Sequence, residues 1–581
     1  MEVENGNEYM KNYKRQAIIE ITLVGVLLVL LNFVATTNFI RLDLTKEKRF
    51  TLSQSSKEIA ASLPDVVYFK IFLEGDFDAR FKRLQQSLKE TLDEFKSYSN
   101  GKIQYEFIDP NTEIMDSSGS NEEKQERYSR LQQLIDLGLK PTSLQIDQEN
   151  EFSRKTIFPG ALVSYKGTKE FPMNFLREQF GMPAEIALNQ SIENLEYDIS
   201  NALKKCVNIK KQKIAYTVGH GELEKDFTAS LTNELTDYYD VERIRISDFP
   251  ASELNKYACL IVAKPDSFFE SYDLSKLDQY VMHGGKLLML VENVRAEMDS
   301  LKSIGQSFAP IVNTGLEEML FRYGVRLNPV LLKDLACTRI QLTEKLPNGG
   351  TRPVFKPWTF APLFFTQSEH PIVRNLEPVA GMFGGTLDTV GREGVTKTVL
   401  LRSSNHATTL QAPVLLSIEG SLVKQQDMML YNREFLPTAV LLEGKFNSIF
   451  KNYGNDSITK LLDYKNHIDD NRMIIIADGD IIKNKVLFQR GNQIVPLGFD
   501  NTDQVPKTYG NKKFLMNCIE YLVEGSKLMD ARSKKIEIRP LDREKIKLYK
   551  SQYQWFNIVF PILLVVIFAY INNFIRKQRN T

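Results

Sequence analysis

The chain has 581 residues and a formal charge of +1 at pH 7, with 74 Lys and Arg against 73 Asp and Glu. That length exceeds what one hydrophobic core organises, so two or three folded domains are expected. The charge balance leaves no basic excess to suggest a nucleic-acid partner. Four scattered cysteines, Cys206, Cys259, Cys337 and Cys518, form neither a CxxC pair nor a zinc pattern, and five histidines argue against a histidine-rich metal site.

A polar tail, 1–16, precedes an apolar run from Ala17 to Ile40, with Glu20 at its entrance and no further formal charge from Ile21 until Arg41. Roughly 20 apolar residues cross a bilayer, so 17–40 reads as a first transmembrane helix. A signal peptide is the rival, but no clean small-x-small cleavage site precedes the charged segment Arg41 to Arg49. Glu20 lies at the lip of the span, where a carboxylate costs less than at midplane; snorkelling and contact with a partner subunit both fit. Asn32 and Asn38 are placed to bond across helices.

The body begins with a strand-like stretch, Val66 to Gly75. Phe81, Leu84, Leu88, Leu92 and Phe95 follow at helical spacing, and Lys102 to Pro110 reads as a second strand. Strand, amphipathic helix, strand resembles the opening of a thioredoxin-like domain, assigned to 41–183, without redox cysteines. Within it, 114–130 reads as a surface loop, about 131–137 as a helix, and the stretches around 142 and 161 as strands. A long helix, 184–205, lies in a connecting segment, 184–210.

From 211 to 530 the pattern is repeated strand and helix. Strands are expected at 213–219, 241–246, 258–264, 286–292 and 473–482, and helices at 225–239, 274–283, 315–323 and 511–522. Near-continuous apolar strands between helices imply a parallel sheet covered on both faces. Residues about 343–410, rich in Gly, Pro and Thr, read as an inserted β-rich segment. A basic juxtamembrane segment, 531–553, leads to a second apolar run, Trp555 to Ile571, bordered by Arg576 and Lys577. This marks a second transmembrane helix, 554–575, in which Pro561 is tolerated and Trp555 and Tyr570 stand as interfacial anchors. A buried C-terminal helix is the alternative. A short tail, 576–581, closes the chain. Basic residues flank both runs on both sides, so the positive-inside rule does not decide sidedness. The fold class is α/β, anchored to a membrane at both ends.

Gly219-His220-Gly221-Glu222 follows a sheet strand, where parallel sheets hold ligands. A small-ligand pocket near His220 is one reading; a tight turn that starts a helix is the other. Gly284-Gly285 precedes a strand and marks a helix end rather than a phosphate cradle. Asp478-Gly479-Asp480 reads as a turn, since a metal would need more oxygen ligands. GxxxxGK[ST], GxSxG and HExxH are absent from the sequence. No catalytic, cofactor-binding or metal-ligating residue is assigned.

Several stretches, in order, carry a wider resemblance: RLDLTKEKRFTLSQSSKEIAASL (41–63), KIAYTVGHGE, LDQYVMHGGKLLMLVE, LEEMLFRYGVRLNPVLLKD (316–334), GNKKFLMNCIEYL and IEIRPLDREKIKLYKSQYQWFNIVFPILLV. Over nearly its full length the chain resembles the GldG family of gliding-motility proteins of the Bacteroidetes, auxiliary (formerly called substrate-binding) components of ABC-type transport systems. The resemblance implies a non-enzymatic subunit without cofactor, beside a multi-span GldF-like permease and a separate cytoplasmic GldA-like ATPase. It implies two spans in the inner membrane, cytoplasmic termini and a large periplasmic domain. It also implies an amidotransferase-like (Rossmann-like) middle domain without catalytic apparatus. Segments 41–56 and 534–553 would be the couplers. A periplasmic ligand-binding receptor, an envelope hydrolase and a structural envelope protein are the alternatives.

Overall fold

The computed structural model describes residues 51–110, 131–148, 151–166, 170–176, 184–207, 211–450, 464–502, 507–525 and 543–579, apart from positions 76, 348, 375, 424, 489 and 490, together with positions 19, 22, 23 and 25–27. Two compact units emerge, 1–534 and 535–581.

In the first unit, Ser53 caps α1 (Gln54–Ala61), its side chain accepting from the Ser56 amide. β1 (Val67–Ile71) leads to α2 (Ala79–Tyr98), which Asp78 caps by accepting from the amides of Arg80 and Phe81. β2 (Ile103–Phe107) returns parallel to β1. Leu84, Leu88, Leu92 and Phe95 of α2 are fully buried, each contributing roughly 1.5–3 kcal/mol. After an antiparallel hairpin of β3 (Thr142–Gln148) and β4 (Glu151–Ile157) come β5 (Gly160–Tyr165) and β6 (Phe171–Asn174). The resulting sheet has the order β2-β1-β5-β6, with β5 antiparallel to β1 and to β6. α3 (Ala184–Val207) sends Leu188, Leu195, Ile199 and Leu203 into the same core.

A second, larger sheet contains β7 (Lys213–Val218), β8 (Asp240–Arg245), β9 (Tyr257–Ala263), β10 (Lys286–Leu290), β11 (Val395–Arg402), β12 (Pro437–Asn447) and β13 (His467–Ile476). Its order is β11-β12-β13-β10-β9-β7-β8. β13, β10, β9, β7 and β8 run parallel, whereas β12 is antiparallel to β13 and β11 to β12. The expected parallel sheet is therefore mixed. Antiparallel neighbours need no crossover helix between them. Val395–Arg402, expected inside the inserted β-rich segment, is one edge strand of this sheet. The flanking strands Cys337–Lys345 and Thr351–Phe364 pair with each other and enter a core of their own around Trp358, Phe360 and Phe383.

Side chains of the central strands alternate between two cores, the period-2 geometry of a strand. Cys259, Ile261 and Ala263 pack with Leu231 and Leu235 of α4 (Lys225–Leu235) and with Phe514, Leu515, Cys518 and Leu522 of α6 (Asn511–Glu524). Leu260 and Val262 pack with Leu277 and Val281 of α5 (Ser271–Met282) and with the helix Leu316–Tyr323. Both faces are covered, which is why these strands are apolar throughout.

The second unit contains α7 (Arg543–Arg579), which runs through Pro561. Its stretch Tyr549–Ile575, 27 residues, is long and apolar enough to cross a membrane. The first expected span, with Glu20, Asn32 and Asn38, lies almost wholly outside the described residues, as do the loop 114–130 and residues 534–542 of the coupler 534–553.

Candidate functional site

The parallel strands β7, β9, β10 and β13 deliver their following loops to one side of the sheet, where α/β proteins place ligands. His220, in the loop after β7, is buried there. Its Nε2 lies 3.2 Å from Asp273 Oδ2 of α5. Its ring stacks on Phe269 at 3.7 Å between centroids, and Nδ1 is 3.8 Å from Glu222 Oε1. The His220 amide donates to Glu222 Oε2 at 2.7 Å, and its carbonyl accepts from the amides of Asp266 and Ser267, both at 3.0 Å. Burial pushes the Glu222 carboxyl up, but hydrogen bonds from His220 and Thr217 outweigh it and hold the group below the usual range. Gly221 has φ +75°, and a Cβ there would fall 1.7 Å from Asp266 Oδ1. The motif is thus a tight turn whose histidine ties two loops to α5.

The second cluster centres on Lys264, the first residue after β9, held at φ +54°. Its Nζ lies 2.7 Å from Asp480 Oδ2 and 3.3 Å from Glu292 Oε1. Glu292 Oε1 also accepts from the Gly479 amide at 2.9 Å. Asp478 accepts from the amides of Asp480 at 2.9 Å and Met382 at 3.0 Å. Gly479 is required by space, because a Cβ there would meet Lys264 Cγ at 2.5 Å.

Carboxylate oxygens of Glu292, Asp478 and Asp480 lie within 4.8 Å of one another, and such crowding has an electrostatic consequence. Burial, opposed by Lys264 and reinforced by Asp480, pushes Glu292 up to about 7. Burial and the charges of Glu292 and Asp480 raise Asp478 well above the usual carboxylate range. Burial works against the Lys264 charge, but Glu292 and Asp480 outweigh it and hold the ammonium above the usual lysine range. The Lys264 ammonium already pairs with two of the three carboxylates, Asp480 and Glu292, so the trio could hold a divalent cation only with Lys264 moved aside.

Between the two clusters is a pocket of about 80 Å³ lined by Gly221, Lys264, Asp266, Glu292, Arg295 and Lys483 among others. Since a water occupies roughly 30 Å³ of liquid, this is room for two or three waters. Arg295 is paired with Asp266 at 3.2 Å, and Lys483 lies 3.8 Å from Asp480. The Asp478-Gly479-Asp480 turn is present, with Asp478 capping the short helix Gly479–Ile482. Its partners Lys264 and Glu292 were not singled out from sequence. The available signal was position: each ends an apolar strand run, Lys264 after CLIVA and Glu292 after LLMLV. Cys259 is fully buried in β9, and burial pushes its thiol up to about 12, which leaves it no nucleophilic thiolate at neutral pH. Gly284 follows the end of α5 with φ +95°, a helix-ending turn.

Residues 211–518, more than half of the chain, match the family described as ABC-type uncharacterized transport system. The chain belongs to that family. The matched stretch of this transport-system auxiliary protein begins just before β7 and ends within α6, so it includes both clusters. Residues 46–164 match a domain of unknown function. An uncharacterized protein of Borreliella burgdorferi strain B31 is 19% identical over 562 residues, covering 96% of this chain and 95% of its own. Among solved structures, the IFT52 N-terminal domain aligns at 13% identity and TM-score 0.30, covering 54% of this chain and 98% of that one. A ThuA-like protein from Bacteroides uniformis aligns at 13% identity and TM-score 0.26, covering 54% and 90%. At those scores neither bears on the fold.

Proposed function

We propose that this chain is a non-catalytic auxiliary subunit of an ABC transporter complex, coupling a multi-span permease and a separate cytoplasmic ATPase to periplasmic events in gliding motility. The observation that carries the reading is the crevice beyond the parallel strands. Where an α/β enzyme would present a nucleophile or cofactor, Lys264, Glu292, Asp478 and Asp480 are committed to one another. Membership of the transport-system family supports the partners. The apolar helix Tyr549–Ile575 supports a membrane anchor. In this reading the N-terminal run is a second anchor, and both termini are cytoplasmic. The order β2-β1-β5-β6 supports a thioredoxin-like first domain, and the parallel part of the larger sheet supports an amidotransferase-like (Rossmann-like) second one.

The experiment is a mild-detergent pull-down of the full-length chain, with mass spectrometry and an ATPase assay on the eluate. A stoichiometric permease and ATPase are the expected result. Recovery of the chain alone would overturn the stable-complex reading. A periplasmic ligand-binding receptor is the second reading, favoured by a separate cavity at the amino ends of β7 and β8.

A further inference from the structure

That cavity has a volume of about 310 Å³, with walls formed by α3, the lead-in to β7, the turn after α4, and α6. It falls in the size range of small-molecule sites, which run from about 300 Å³ upward. Its lining includes charges of both signs, and the cations have partners in the protein. Lys204 pairs with Glu524. Lys512 lies 3.1 Å from Glu234, and Lys513 lies 3.3 Å from Glu377. Lys211 donates to the Thr236 carbonyl. Tyr197 donates to Glu520.

Two neutral side chains in the same lining behave differently. Tyr239 is only 6% exposed, lines the cavity, and its hydroxyl has no hydrogen-bond partner among the described residues. The half-buried Asn201 side chain also lines the cavity and has none either. Both groups border the cavity rather than the packed interior, so their hydrogen-bonding capacity is open to whatever occupies it. Burial and the charge of Glu520 both keep the Tyr239 hydroxyl protonated, and so able to donate.

We propose that this cavity binds a neutral, polyhydroxylated ligand, a saccharide, through the Tyr239 hydroxyl and the Asn201 amide. An anionic ligand could gain Lys204, Lys512 or Lys513 only by displacing an ion pair already made. A sugar hydroxyl donates and accepts at once, so it satisfies a phenol and an amide without disturbing the paired charges. Tyr238 and Met516 supply apolar surface for the C–H faces of a sugar ring. The inference does not depend on the transporter reading, because a chain recovered without permease or ATPase can still bind a sugar here.

The test is calorimetric titration of the full-length chain in detergent with glucose, galactose, N-acetylglucosamine, maltose and diacetylchitobiose, and with inorganic phosphate as the ionic control. Saturable binding of at least one sugar is expected, weakened ~10-fold by Tyr239→Phe and by Asn201→Ala at unchanged melting temperature. If Asn201→Ala lowers the melting temperature, Asn201→Ser replaces it in the comparison. Absence of saturable binding by every sugar, binding indifferent to both substitutions, or displacement of the sugar by phosphate would each overturn the proposal.

Discussion

The two ends of the parallel strands use polar residues in opposite ways. At the carboxyl ends, Lys264, Glu292, Asp478 and Asp480 are buried together and consume one another's charge and hydrogen-bonding capacity. At the amino ends, the ion pairs stand on the walls of a larger cavity, and the neutral Tyr239 and Asn201 have no hydrogen-bond partner among the described residues. Burial explains the contrast. An isolated charge cannot be withdrawn from water unless another charge accompanies it, whereas a hydroxyl or amide that borders a cavity keeps its hydration without a protein partner. The end that looks more like a catalytic centre is therefore the closed one, and the less conspicuous end has capacity to spare.

Removing the cation at the closed end should produce the largest effect. Lys264→Met leaves three buried carboxylates without their counter-charge and should cost about 3–5 kcal/mol, read as a shift in denaturant midpoint of the full-length protein at pH 8. A loss below about 1 kcal/mol would mean the carboxylates neutralise themselves by taking up protons, and the contrast between the two ends would collapse. Gly479→Ala should follow, at ~1–3 kcal/mol, because the new methyl must displace the root of the Lys264 side chain rather than its mobile tip. An unchanged midpoint would show that the Lys264 backbone can relax.

The pH dependence sharpens the same point. Glu292 titrates at about 7 in the folded chain, above its ordinary value of 4.5. A group raised on folding contributes stability that is complete below the unfolded value and lost as pH rises through the folded one. Stability should therefore fall by on the order of 3 kcal/mol between pH 4.5 and pH 7.5, and Glu292→Gln should flatten that slope. A profile with the same slope in the variant would assign the proton to Asp478 instead. The smallest effect belongs to the open end. Tyr239→Phe removes a hydroxyl that bonds to nothing described, so stability should move by less than about 0.5 kcal/mol. A loss of 2 kcal/mol would reveal a structural partner for that hydroxyl.

Much of the scaffold was legible along the chain. Phe81, Leu84, Leu88, Leu92 and Phe95 marked α2 by spacing alone, and the apolar runs at 258–264 and 286–292 marked two central strands, because burial on one face or two leaves a local periodic trace. The long apolar stretch in α7 was equally plain, since bilayer thickness sets a length that can be counted. Strand direction left no such trace. The antiparallel pairing of β11, β12 and β13 is set by which segments meet, and an apolar strand reads the same in either direction.

The sites were decided last and by tertiary contact. Asp478 and Asp480 were visible as a turn, but only the adjacency of β9, β10 and β13 brings Lys264 and Glu292 to them. The expected helix to 239 stops at Leu235 because the chain must enter β8 at Asp240, whose amide bonds the Gln212 carbonyl. That early stop turns Tyr238 and Tyr239 toward α3 and α6 and lines the cavity with them. Sequence by itself determined the elements, through local periodicity and length. Only the packed structure decided which charges would be neighbours and which hydroxyl would be left without one, because burial and proximity are properties of segments far apart in the chain.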